Sequence, residues 1–184
     1  YPLGTKLVLV NRLAMKDGRG PEGLVAKGTE VLRFDVVANP VTPDNSRVPA
    51  RLREQQPIDL SQVTRRRYWD FDKNNSMWAV NSQLFDVEKP AARIPKGSTE
   101  IWTLQGHGSW FHPIHIHMEE FRILSRNGKA PPPHERGRKD VVALAPDERV
   151  EVLIKFRDFT GKYVMHCHNL SHEDHAMMIR FDVV

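Results

Sequence analysis

The sequence predicts an all-β sandwich, and three observations carry that prediction. Between Tyr68 and Val184 short apolar stretches recur with turn residues between them, the spacing of strands in a two-sheet fold. Two of these stretches, Val150-Glu151-Val152-Leu153-Ile154-Lys155-Phe156 and Ile179-Arg180-Phe181-Asp182-Val183, alternate in polarity, as a strand with one buried face requires. Segments with a helical period do not exceed about two turns, and there is no internal repeat.

With 184 residues the chain is long enough for one domain with a sizeable core, or for one domain and part of another. Residues 1–38 read as two strands, 6–10 and 31–37, with a Gly-rich turn around 17–21 between them; Leu32, Phe34 and Val36 share one apolar face. An isolated hairpin is marginal in water, so this pair reads as part of a domain that it does not complete. Residues 39–64 carry Pro40, Pro43, Pro49 and Pro57 among Asp, Asn, Arg and Gln, the composition of a linker or surface crossing. Residues 65–184 form the main domain, with predicted strands at 68–71, 77–80, 98–104, 114–124, 141–144, 150–156, 163–168 and 178–184. Pro131-Pro132-Pro133 reads as an extended surface loop.

Composition excludes several classes. A charged fraction of 27% and a net charge of +4 describe a mildly basic surface. The Arg65-Arg66-Arg67 run lacks interleaved aromatics and reads as a solvated patch, so nucleic acid is not a partner. No run of apolar residues is long enough to span a membrane. The single cysteine cannot form an internal disulfide, which leaves the redox compartment open. The start Tyr1-Pro2-Leu3-Gly4 is neither an initiator Met nor a secretion signal, and points to a segment removed upstream.

The chemistry concentrates in residues 165–178, which hold the only cysteine and four of the nine histidines. On the predicted strand 163–168 successive side chains point to opposite faces, so Cys167 faces away from His166 and His168. A thiolate and two imidazoles so placed cannot grip one ion, and two separate metal centres are implied. Beyond the strand, His172 and Met177 add an imidazole and a thioether in a stretch suited to a turn or short helix. Thiolate, imidazole and weak thioether are the set that electron-transfer copper selects, with one more His required. The second cluster, Trp110-Phe111-His112-Pro113-Ile114-His115-Ile116-His117, supplies it, because His112 has the opposite parity from His115 and His117. His112 thus goes with Cys167, and His115 and His117 go with His166 and His168. Met178 competes with Met177 for the thioether role. A lone Cys is ordinarily a small buried hydrophobe, and imidazoles also suit zinc; the two flanking His argue against the first, and parity against a zinc-only site.

The pattern His112-x-x-His115-x-His117 followed by His166-Cys167-His168-x3-His172-x4-Met177 resembles the paired copper signatures of the multicopper oxidases, as found in their last cupredoxin domain. The local wording is most similar to bilirubin oxidases and bacterial spore-coat laccases, in His166-Cys167-His168-Asn169-Leu170, His172-Glu173-Asp174-His175, Met177-Met178, Trp110 and Lys139-Asp140-Val141-Val142. The resemblance implies a cupredoxin-like Greek-key β-sandwich over 65–184, with 1–38 the closing strands of a preceding, middle cupredoxin domain. It implies that His112, Cys167, His172 and Met177 bind type 1 copper, that His115 serves type 2 copper, and that His117, His166 and His168 serve the type 3 pair. The family spacing favours Met177 over Met178. Arg138, where relatives often have Trp, and Glu119-Glu120, in place of a more apolar pair, depart from the pattern.

The same resemblance implies a laccase- or bilirubin oxidase-like enzyme with four copper ions when complete. Electrons from a phenolic, aromatic amine or tetrapyrrole donor would arrive at type 1 copper, whose His edges are expected nearest the surface. Cys167 would pass them through His166 and His168 to a trinuclear cluster that reduces O2 to water; neighbouring residues of one strand put the centres on the order of 10 Å apart. Glu173 is the expected proton source, against the plainer reading of a solvated acidic turn with Asp174. The cluster uses eight histidines and this chain supplies four; the other four are implied to come from an absent N-terminal cupredoxin domain, in the same precursor or a second chain. The family also implies a periplasmic, extracellular or spore-coat location. A stand-alone blue-copper carrier would have no use for His115, His117, His166 and His168, and copper nitrite reductase would not need His on both sides of Cys167. A Cu(I) or Mn(II) metallo-oxidase is the remaining alternative, although the six methionines are scattered. His107, His134 and His175 read as surface or supporting residues.

Overall fold

Stretches of alternating polarity fold as strands throughout the computed structural model, which describes residues 1–15 and 17–184. Two compact units form, Tyr1–Gln56 and Pro57–Val184. In the first, β1 (Lys6–Met15) and β2 (Pro21–Asp35) make an antiparallel hairpin, with Lys6 opposite Asp35 and Met15 opposite Pro21. Both strands run longer than the polarity pattern predicts, because register irregularities absorb the residues that break it. At one irregularity Gly28 takes φ +68°, and a Cβ there would stand 2.5 Å from the Asn11 carbonyl oxygen, so only glycine fits. Leu32 and Phe34 of the expected apolar face are exposed, as are Leu9 and Val31.

The second unit contains β3 (Val63–Asn74), β4 (Met77–Val80), β5 (Ala92–Ile94), β6 (Thr99–Gly106), β7 (His112–Ile116), β8 (Phe121–Arg126), β9 (Arg138–Lys139), β10 (Val141–Leu144), β11 (Arg149–Lys155), β12 (Gly161–Cys167), a short helix α1 (Leu170–Asp174) and β13 (Met178–Val183). They form two sheets, in the orders β10-β7-β12-β13-β5 and β4-β3-β6-β11-β8-β9. The β13–β5 and β3–β6 pairs are parallel and the others antiparallel. Alternate residues of each strand close a shared core: Phe71, Trp102, Val152 and Ile154 from one sheet, and Ile114, Met165, Phe181 and Val183 from the other. Trp102 meets Phe181 edge-on across it, at 5.4 Å between centroids, a favoured aromatic geometry. The all-β sandwich that the alternation predicts is the observed architecture.

Several local expectations give way. The predicted strand 114–124 is two strands, β7 and β8, separated by a turn in which Met118 takes φ 76°. Strands β5 and β9, at three and two residues, are too short to show an alternation. Arg67 is not part of a solvated patch: its guanidinium donates to Glu100 at 2.6 and 2.9 Å, and Glu100 also accepts the Trp102 Nε1–H at 2.8 Å. That buried carboxylate is stable because it is paired and hydrogen-bonded. The departure at Glu119 has a similar cause, since its carboxylate accepts both the Arg157 backbone N–H and its Nε–H, each at 2.8 Å. No helix among the described residues is long and apolar enough to cross a membrane.

Candidate metal centres

Strand β12 lies in the middle of its sheet, between β7 and β13. Its register sets His166 opposite His115 and Cys167 opposite Ile114. Because directly opposed residues share a face, His166 and His115 go to one side of the sheet, while Cys167 turns into the sandwich core beside Met165 and Ile114. The parity argument made from sequence holds: one strand presents donors to two sides.

On the core side three side chains converge. The Cys167 Sγ is 3.8 Å from His112 Nδ1 and 3.7 Å from His172 Nδ1, and the two Nδ1 atoms are 3.1 Å apart. His112 comes from the first position of β7 and His172 from α1, the short helix that follows the Asn169 cap. Ala176, at φ 77°, ends this segment and returns the chain to β13. Met177 is fully buried at the turn, its carbonyl accepting the Cys167 N–H at 3.1 Å and its N–H bonding the His172 carbonyl at 3.0 Å. Met178 starts β13, half-buried. The fully buried thioether therefore belongs to the residue whose backbone is tied to both Cys167 and His172.

The electrostatics suit a cation. Burial pushes the Cys167 thiol up to about 12, against the Asn169 N–H that bonds the sulfur at 3.4 Å. Burial first and its neighbour His172 second hold His112 down at about 3; burial first, then Lys73 and His175, hold His172 down at about 4. Both imidazoles are thus neutral, and their buried Nε2 atoms have no hydrogen-bond partner among the described residues. One hydrogen bond can relieve a single contact among two Nδ1 atoms and a sulfur, but not all three. An ion roughly 2 Å from each nitrogen and 2.3 Å from sulfur would satisfy the whole group, and its uptake would displace the thiol proton. The residues fit a soft metal.

On the other side, donor atoms of His115, His117 and His166 lie within 4.8 Å of one another, as do those of His166, His168 and Glu173. His117 Nε2 is 3.1 Å from His166 Nε2. His115 Nδ1 sits 2.9 Å from the Asp140 carbonyl, which fixes that nitrogen as the N–H and frees Nε2. His166 Nδ1 is 3.2 Å from Glu173 Oε1, which leaves its Nε2 lone pair toward His117 in the same way. Carboxylate and carbonyl partners of this kind set the tautomer of metal-binding histidines. His168 is exposed, its N–H bonded to the Pro113 carbonyl at 2.7 Å.

Every site residue marked by the sequence falls in one of these groups or at the Met177 turn. One expectation is corrected: the edges of His112 and His172 are not at the surface of this chain, being 0% and 1% exposed. Trp78 stacks on His172 at 3.7 Å between centroids, and Trp110 meets it edge-on at 5.1 Å. Sequence gave a signal for Trp110, two residues from His112, and none for Trp78, which reaches the site by packing of β4 against α1. The Asp140 carbonyl and the Asn169 N–H were equally silent, since backbone groups carry no residue code. His107 lies outside both groups, with its Nε2 2.6 Å from Asp70 Oδ1.

The family described as "Multicopper oxidase" matches residues 53–184. A bilirubin oxidase from Albifimbria verrucaria is 40% identical over 160 residues, 83% of this chain and 28% of that protein. A laccase from Haloferax volcanii is 37% identical over 191 aligned residues, 98% of this chain and 31% of that protein. Among solved structures, a laccase from Pediococcus acidilactici superposes with a TM-score of 0.75 at 24% identity, over 100% of this chain and 37% of that one, a likeness of fold. The chain therefore spans less than a third of either of these two curated relatives. By the match of residues 53–184 and these identities, the chain belongs to the multicopper oxidase family, whose cofactor is copper, and its sandwich is the family's cupredoxin fold.

Proposed function

We propose that this chain forms the C-terminal, copper-binding part of a laccase- or bilirubin oxidase-like enzyme that couples one-electron oxidation of a small reductant to reduction of O2 to water. The observation that carries the reading is the pair of donor groups on opposite faces of β12, joined through the adjacent residues Cys167 and His166. His112, Cys167 and His172 would hold the type 1 copper, with the Met177 thioether as a further, weaker donor. His115 serves the type 2 ion, and His117, His166 and His168 contribute to the type 3 pair. Residues 65–184 are the C-terminal cupredoxin domain, 39–64 a linker, and 1–38 the closing strands of a middle domain. The remaining four His come from an N-terminal cupredoxin domain, in the same precursor or a second chain. Phenolic, aromatic amine or tetrapyrrole donors are the substrate class, by likeness to the laccases and the bilirubin oxidase.

Bound copper would supply the one-electron redox chemistry. The chain's own residues do the rest. The apolar core excludes water from Cys167, so the sulfur is held for metal and for the covalent path to His166. The Asp140 carbonyl orients His115, and the Glu173 carboxylate, half-buried against His166 Nδ1, is placed to hold a proton beside the histidine face.

The test is Cys167→Ser in the copper-loaded enzyme. The intense blue thiolate absorption and donor oxidation are expected to disappear together, since oxygen replaces the sulfur that both depend on. A retained blue band, or metal analysis finding zinc in the parent, refutes the reading.

A further inference from the structure

Both imidazoles on the core side are sealed from solvent, and the seal over His172 is aromatic. The Trp78 indole lies over His172 with 28° between planes, and Trp110 meets Trp78 edge-on at 5.3 Å. Lys73 stands directly opposite Trp78 in the β3–β4 pairing, and its Nζ is 4.3 Å from the Trp78 ring centroid. Two groups that close to one ring centre occupy its opposite faces. An exposed ammonium, a buried indole and a buried imidazole therefore form a three-layer stack. An ammonium over an indole face is held by the ring quadrupole. What lies between it and His172 is a ring, not water, so its field reaches the imidazole with less screening than a surface charge ordinarily has.

We propose that Lys73 and Trp78 are a positioning pair for the Cys167 centre, the indole fixing the plane of the His172 ring and the ammonium behind it raising the reduction potential. This rests on the assignment of His112, Cys167 and His172 as the type 1 group. The step concerned moves one electron from the donor, which is oxidised, to the centre, which is reduced; no bond is made or broken at Lys73 or Trp78. A positive charge nearby disfavours the more positive, oxidised state.

The experiment is a redox titration of the blue absorption against a mediator, in the copper-loaded enzyme, at low and at physiological salt. Lys73→Gln is expected to shift the equilibrium against reduction by roughly three- to tenfold at low salt, for a charge several ångströms away. The shift should shrink at physiological salt, where the screening length is about 8 Å, and Lys73→Arg should restore the parent value. An unchanged equilibrium for Lys73→Gln at low salt, with the blue band intact, overturns this inference and leaves the type 1 assignment standing. A second measurement needs no copper: in the metal-free protein the His172 ring protons should show an upfield ring-current shift, kept in Lys73→Gln and lost in Trp78→Leu. Absence of that shift in the parent removes the stack and the inference with it. A parent without a blue band under copper loading refutes the type 1 assignment itself, whatever the ring-current result.

Discussion

Among the donor residues, Met177 and Glu173 make the sharpest residue-scale predictions. Met177 is buried at the turn between His172 and β13, and in the proposed ligand role its thioether would bond weakly, tuning the centre without defining it. Met177→Leu, which conserves volume, is expected to keep the blue colour and raise the reduction potential, as read by spectroelectrochemical titration; an unchanged potential would move the role to Met178. Glu173 touches His166 directly. If its proton is delivered during oxygen reduction, Glu173→Gln should leave donor-to-type 1 transfer fast and slow steady-state turnover roughly 10²-fold or more, the scale of a lost acid. Stopped-flow absorbance would then show the blue centre held reduced under oxygen; parent-rate turnover across pH would return Glu173 to a surface role. The donors were legible in the sequence because Cys and His at these spacings are rare and their parity on a strand is fixed by stereochemistry. Trp78 and Lys73 were not, because Trp78 meets His172 only when β4 packs against α1, and Lys73 meets Trp78 only once β4 has paired with β3.

At the scale of elements, the loop that delivers His112 leaves β6 at Gly106, whose N–H bonds the Glu148 carbonyl at 2.9 Å. A Cβ at Gly106 would stand 2.9 Å from the Ala145 carbonyl oxygen and 3.2 Å from Leu144 Cγ. Backbone oxygen cannot yield as a flexible side-chain tip can, so Gly106→Ala is expected to cost about 1–3 kcal/mol, measured as a lower unfolding midpoint in denaturant. A parent-like midpoint would show that the β6 end relaxes freely. Long strands with clean alternation, such as β11 and β13, are readable in the sequence, because half-burial writes polarity into every second residue. The split of 114–124 was not, since the apolar pattern continues on both sides of Met118 and the left-handed backbone there has no glycine to announce it. Strand β1 ran past its predicted end for the opposite reason: its exposed residues are not sorted by burial, and alternation carries little information.

For the whole molecule, the histidine-bearing face with its exposed His168 contrasts with the sealed core-side group. The chain matches less than a third of the length of the bilirubin oxidase and the Haloferax laccase, and by the proposed division of ligands one centre is complete within it and the other is shared. Purified and copper-loaded by itself, this chain is therefore expected to retain at most one equivalent of tightly held copper, and the complete enzyme four, as counted by elemental analysis against protein concentration. Three or four equivalents retained by this chain alone would refute the division. Family membership was readable from the two histidine clusters. The sealing of His172 was not, since it depends in part on the Trp78 indole, brought in from β4 of the other sheet.

Strand β12 sends Cys167 and His166 to opposite sides of its sheet, held by pairing with β7 on one edge and β13 on the other. A slip of one residue in that zipper would turn the thiol outward and the imidazole into the apolar core, spoiling both centres in the same event. Misthreaded molecules would then be colourless, not dim, and the blue intensity per unit protein becomes a census of the chains that zipped correctly.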